Sequence, residues 1–328
     1  LKKYFSEENS YILFCVSTFL LLSPYFRSSA VWGQEINYGI LSLIVTFFYF
    51  IKFKKNEDLL NLFFTIFFSS VCVYFDQKLL IVPLFCFYYI LFKSTLNPRV
   101  KLFSALMYFL FSIPFLYLIS IWGGLVPTLT QKSNFLSFNS LDNFNVHYYH
   151  IGFAATLIAL YLIPVIILKN TINLKIIYNF LKSHLLLILF PSFLYIFLYI
   201  YFDWYDLLQS KLFIAQNGET YGLGFANKLG LILFEDIFIR KIFTYLAFFT
   251  SWILIIYAIK CKATNWFLLT YFFIISLFLL PIMQEYFDPY IFLLSILMSS
   301  ERFKFNFKRT FTSLLFFVMA LSFAILYY

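Results

Sequence analysis

Long apolar stretches recur from one end of the chain to the other, separated by short polar breaks, and this repetition limits the fold more than any motif does. They fall at 11–26, 36–53, 59–75, 79–92, 102–122, 151–168, 185–202, 242–259, 266–282, 286–298 and 311–328. Residues are 62% hydrophobic and only 12% charged, whereas charged residues approach about 25% in soluble globular domains. Hydrocarbon offers no water to backbone N–H and C=O groups, so a segment lying in it must be helical. The expectation is an all-α, polytopic integral membrane protein with about eleven transmembrane helices. It is read as a single transmembrane domain over 1–328.

The polar breaks alternate in charge. With Lys2 and Lys3 on the cytoplasmic side, the inner connections hold Lys52, Lys54, Lys55, Lys93, Arg99 and Lys101 in the first half of the chain. They hold Lys169, Lys175, Lys182, Lys260, Lys262, Arg302, Lys304, Lys308 and Arg309 in the second. The outer segments keep Arg27, Lys78, Lys132, Lys211, Lys228, Arg240 and Lys241. Acids divide the other way, with Glu7, Glu8, Glu57, Asp58 and Glu301 inside and the rest outside. Basic residues hold short loops in the cytoplasm during insertion. The start of this chain is therefore expected in the cytoplasm, in a multi-pass protein of the bacterial inner membrane. The net charge of +9 is then a cytoplasmic rim facing membrane lipids, and it implies no nucleic-acid partner.

Two long breaks, 123–150 and 203–241, fall on the outer side. Connections longer than ~12–15 residues are usually functional or disordered. The second is too apolar for disorder, with Leu-Gly-Leu-Ile-Leu-Phe at 229–234. Short helices lying in the outer interface are expected in these loops, and any chemistry is expected on that face.

Several readings drop out. Cys15, Cys72, Cys86 and Cys261 are scattered, three of them inside apolar stretches, and form neither a disulfide framework nor a zinc pattern. Gly218, Gly222 and Gly224 follow no strand and precede no Lys-Ser/Thr pair, so no phosphate-binding loop is indicated. The centres of the apolar stretches carry almost no charge, unlike the relays of ion-coupled transporters. Asp142, His147 and His150 form the one pattern suited to a divalent metal, since both imidazoles fall on one helical face. Interfacial polar residues beside Tyr148 and Tyr149 are the commoner use of such a cluster, and no cofactor is otherwise implied. The chain opens at Leu1 without a signal-peptide pattern, which reads as a fragment with something missing upstream.

Four outer turns carry the polar chemistry. In the last, Glu285 and Asp288 stand among aromatics, and the apolar run after Pro289 ends at Met298. Crossing needs ~20 residues, so the helix must recruit Tyr286 to Asp288 and draw the acids to the edge of the hydrocarbon. A carboxylate costs roughly 2.5–3.5 kcal/mol at a helix centre and less at the interface, so its retention suggests a use. Arg27 suits a bidentate phosphate contact, with Trp32, Gln34 and Glu35 nearby for sugar faces and hydroxyls; an ordinary interface anchor is the equal alternative. Asp76-Gln77-Lys78 offers a second phosphate cation. Trp122, before Gly123, Gly124 and Pro127, ends a helix as a belt anchor or as a substrate contact.

Taken in order, SPYFRSSAVWGQE at 23–35, FDQKLLIVP at 75–83, IWGGLVP at 121–127 and QEYFDPYI at 284–291 resemble the GT-C glycosyltransferases. The last three are similar to the lipid-phosphate-glucose alpha-1,2-glucosyltransferase branch. There a polar Gln turn, a Gly-Gly segment and a late acid-Tyr-Pro element occur in that order. The resemblance implies transfer of a sugar from a polyprenyl-phosphate donor to a lipid-linked or cell-envelope acceptor on the non-cytoplasmic face. It implies substrate contacts at Arg27, Glu35, Gln77, Lys78, Trp122, Glu285, Tyr286 and Asp288, with Arg27 and Lys78 toward the donor phosphate. The family also places a catalytic acid in its first outer loop, as base for the acceptor hydroxyl. Here that loop has Glu35 without a paired acid, so the base is expected upstream of Leu1. Two other classes stay open. One is an O-antigen-type polysaccharide polymerase or ligase, against which the outer segments offer only Arg27 and Arg240. The other is a polytopic lipid or solute transporter.

Overall fold

Polar residues punctuate the apolar stretches where helices begin and end. The computed structural model describes residues 36–122, 150–168, 174–200, 229–230, 232–259, 263–277, 287 and 307–327, and every regular element among them is helical. The chain divides into two compact units, Ser28–Asn145 and Leu1–Arg27 with Val146–Tyr328.

The first unit holds α1 (Ile36–Asn56), α2 (Leu59–Phe75), a 3-10 helix (Gln77–Leu80), α3 (Ile81–Phe92) and α4 (Pro98–Trp122). Glu57 reverses the chain between α1 and α2 with a φ of 49°, a left-handed conformation that side chains rarely adopt. Asp58 then caps α2, its carboxylate accepting from Leu60 N and Asn61 N and from the Asn61 amide at 2.8 Å. Aromatic packing fills the centre: Phe50 meets Phe85 and Tyr89 edge-on at ring distances of 5.6 and 5.0 Å. Buried hydroxyls are satisfied within their own helices, as Thr46 donates to Ser42 O at 2.7 Å and Ser104 to Val100 O at 2.8 Å. Ser69 and Tyr108 hydrogen-bond at 3.0 Å and tie α2 to α4.

The second unit holds α5 (His150–Leu168), α6 (Leu174–Ser183), α7 (Leu185–Ile200), α8 (Ile237–Ile259), α9 (Ala263–Ser276) and α10 (Phe307–Tyr327). Helix α5 is its hub, touching α8, α9 and α10, and Ala154, Ala155 and Ala159 let neighbours approach closely. A Cβ at Gly152 would fall on the Tyr195 phenol, so glycine makes room where that ring from α7 reaches the start of α5.

Prolines stand inside several helices, among them Pro114 in α4, Pro164 in α5 and Pro191 in α7, and at Pro191 a neighbour supplies the missing donor. Pro191 has no N–H for the Leu187 carbonyl, and the Trp252 indole N–H from α8 donates to it at 3.2 Å. In α4, Pro114 leaves the Leu110 carbonyl without its helical donor, and the Tyr74 hydroxyl from α2 donates one residue further on, to the Phe111 carbonyl.

Nine of the eleven expected apolar stretches fall on helices where the structure describes them; 11–26 and, apart from Phe287, 286–298 lie outside the described residues. Helix α4 begins at Pro98 and α8 at Ile237, so Arg99, Lys101, Arg240 and Lys241 sit in helical end turns instead of loops. Helical turns at 229–230 and 232–233 precede α8. Helix α6 was not expected. Pro98–Trp122 and Phe238–Ile259 are long and apolar enough to cross a membrane. Only 6% of the most apolar window of the former is buried, with Phe103, Phe109, Leu110 and Tyr117 more than half exposed.

Candidate functional site at the turn between α2 and α3

The described residues place one of the expected outer turns in full atomic detail. Asp76 closes α2, its N–H donating to Cys72 O at 3.1 Å, and opens the 3-10 helix by accepting Lys78 N on Oδ1 at 2.9 Å. Leu79 N then bonds Asp76 O at 3.0 Å. Leu79 is fully buried and anchors the turn against α1. Its side chain packs on Gly39 so closely that a Cβ there would lie 2.9 Å from Leu79 Cδ1. This anchoring leaves Gln77 and Lys78 half-buried on a turn with fixed backbone.

An apolar groove of about 340 Å³ runs beside this turn between α2, α3 and α4. Helix α3 and the residue before it contribute Leu80, Pro83, Leu84 and Phe87, one helical stripe. Tyr74 and Tyr108 enter from α2 and α4. Leu80 and Pro83 fall in the stretch at 75–83 quoted above, but sequence reasoning assigned none of these residues a role. The stripe is legible at helical spacing, but the same spacing serves an ordinary core. The turn joins the groove through Leu80, while Lys78 is a cation on the same turn that does not itself line the slot.

Trp122 is the last residue of α4 and half-buried. Helix α4 runs parallel to α2, with Phe115 beside Tyr74 at a ring distance of 6.4 Å. Trp122 therefore stands at the same end of the unit as Lys78, about 10 Å further along α4 at a rise of 1.5 Å per residue. Arg27, Glu35, Glu285, Tyr286 and Asp288 lie outside the described residues. Phe287, between the last three, is fully buried and packs on Phe272 at a ring distance of 5.8 Å.

Of the metal candidates, Asp142 and His147 lie outside the described residues. His150 is buried at the start of α5, with Nδ1 3.0 Å from the Ser276 carbonyl, which ties α5 to α9. No group of three His, Cys, Asp or Glu among the described residues is placed to hold a metal. The glycines at 218, 222 and 224 also lie outside the described residues.

No known protein family, curated protein or solved structure matches this chain.

Proposed function

We propose that this chain is a multi-pass membrane glycosyltransferase that takes a sugar from a polyprenyl-phosphate donor to a lipid-linked or cell-envelope acceptor on the non-cytoplasmic face. The observation that carries the reading is Lys78, held on a capped turn beside an apolar groove of about 340 Å³. A donor of this class joins a phosphate to a long hydrocarbon, and the turn offers a cation for one and the groove a lining for the other. The exposed apolar surface of α4 supports a lipid surrounding, because a patch of that extent is rare on soluble monomers. The alternating charge of the connections supports many crossings and a cytoplasmic start.

In this reaction the acceptor oxygen attacks the anomeric carbon, a base takes its proton, and the bond from that carbon to the phosphate oxygen breaks. Charge grows on the departing phosphate, and a fixed cation lowers the barrier by stabilising it. Lys78 takes that role, with Arg27 as a second cation. Gln77, Trp122, Glu35, Glu285, Tyr286 and Asp288 contact sugar or acceptor.

The test is sugar transfer in reconstituted vesicles with a labelled polyprenyl-phosphate sugar. Lys78→Met is expected to lower transfer by about 10²-fold, as loss of one charge-stabilising donor does elsewhere, and Lys78→Arg to keep part of it. Glu285→Ala or Asp288→Ala is expected to abolish transfer while leaving membrane insertion intact. Full activity in Lys78→Met and in both acid variants overturns the assignment.

A further inference from the structure

A second groove, of about 240 Å³, lies at the opposite end of the first unit, between the starts of α2 and α4. Leu62, Phe63 and Ile66 line it from α2 at helical spacing. Val100, Phe103 and Met107 face them from α4. One charged residue completes the lining, Arg99, exposed in the first turn of α4. The backbone at this helix start is already engaged, with Arg99 N on the Asn97 side chain and Val100 N and Lys101 N on the Asn97 carbonyl. The lining is almost wholly apolar, so Arg99 gives the groove chiefly its aliphatic stem and carries its charge beyond it.

The surroundings fix the sign of that ligand. Lys52, Lys54, Lys55, Lys93 and Lys101 stand at this same end of the unit, against Glu57 and Asp58. Glu57 accepts twice from Thr95, and Asp58 caps α2. Lys101 donates to the Leu91 carbonyl at 2.9 Å, and Lys52 lies 4.2 Å from the Phe48 ring centre. Size limits the occupant as well: a helix 10–12 Å across does not enter a slot of about 240 Å³, whereas a hydrocarbon chain does.

We propose that this groove holds one acyl chain of an anionic phospholipid from the cytoplasmic leaflet, with its headgroup phosphate on the Arg99 guanidinium. The proposal rests on the membrane reading above and is independent of the glycosyltransferase assignment. The chain gains little by leaving bulk lipid for an apolar groove, since both are equally apolar. Selection must come from the headgroup, and a basic side chain at a membrane surface contributes about 1 kcal/mol.

The experiment uses the full chain in phosphatidylcholine nanodiscs, with spin-labelled phosphatidylglycerol and phosphatidylcholine compared for immobilisation at the protein surface. Arg99→Gln is expected to lower the preference for phosphatidylglycerol about fivefold, equivalent to about 1 kcal/mol. Lys93→Gln, which removes a charge from the same end but away from the groove, is expected to change it less than about twofold, because ions screen a charge that does not touch the headgroup. Met107→Trp fills the slot without altering charge and is expected to reduce the immobilised phosphatidylglycerol while leaving the bulk shell of phosphatidylcholine unchanged. Equal losses in Arg99→Gln and Lys93→Gln mean diffuse attraction and overturn the site, as does unchanged immobilisation in Met107→Trp. Release of the wild-type chain from membranes by alkaline carbonate overturns the membrane reading itself and is seen separately.

Discussion

The indole N–H of Trp252 reaches from α8 to the carbonyl of Leu187, the acceptor that Pro191 leaves without its helical donor. The bond converts a sequence defect in α7 into a fixed contact between two helices. Trp252→Phe keeps the packing and removes only the donor, which leaves a carbonyl unsatisfied at a cost of about 1–3 kcal/mol. In a Pro191→Ala background the helix supplies its own N–H, and the same substitution is expected to cost less than half as much. Thermal unfolding of the four proteins in detergent measures the coupling.

Glu57 and Thr95 join the α1–α2 turn to the α3–α4 connection. The carboxylate accepts the Thr95 hydroxyl, and the Thr95 N–H at 2.9 Å. These two bonds hold Glu57 below the usual carboxylate range, with Lys101 adding its charge against a small desolvation effect. A depressed folded-state value stabilises above the unfolded value of ~4.3 and is lost as pH falls through the folded one. Thr95→Val is expected to cost about 0.5–1 kcal/mol at pH 7, discounted for exposure. The gap between wild type and variant should close as the pH is lowered well below 4, which unfolding at a series of pH values shows.

The Tyr195 phenol of α7 reaches Gly152 of α5. Gly152→Ala places a methyl on the phenol and is expected to destabilise by about 1–3 kcal/mol through overpacking. The penalty should shrink by more than half when Tyr195 is already Leu, because the obstructing ring is gone. Additive losses in the double-mutant cycle would show that the helices separate for another reason.

The topology can be read with impermeant maleimide. Cys72 and Cys86 are fully buried and can stay in place, while Cys15 and Cys261 are replaced by Ser. Lys78 lies in the 3-10 helix and Lys93 just past α3, a path of about 24 Å at standard rises. Lys78→Cys is expected to react only from the outer side and Lys93→Cys only from the cytoplasm. Labelling of both from one side contradicts the alternation.

Helix α2 was legible to the residue, because Asp58 and Asp76 bracket an unbroken apolar run and each also makes the capping bonds that end a helix. Helix α6 was not. Lys175, Asn179 and Lys182 interrupt its apolar residues, so it fails a search for continuous hydrophobicity although its spacing is helical. The basic residues at 99, 101, 240 and 241 read as loops because charge marks a membrane edge, whereas a helix ends only where backbone donors or acceptors find other partners. In the candidate site, Lys78 was visible as a charge between two apolar runs. The groove beside it was not, since it depends on Tyr108 of α4 facing α3, where it meets Phe87 at a ring distance of 5.4 Å. Nothing in one linear chain specifies that partner.

Helices α2 and α4 lie side by side yet differ in length, with 17 and 25 residues. At 1.5 Å per residue they measure about 26 and 37 Å, on either side of a hydrocarbon thickness of about 30 Å. Under the multi-pass reading proposed above, no flat bilayer satisfies both at once. The lipid must draw thin along α2 while α4 leans to hide its surplus. A dimpled leaflet of that kind brings headgroups down toward the Asp76–Leu80 turn, and shortens the distance over which any lipid-borne phosphate has to be lifted to reach it.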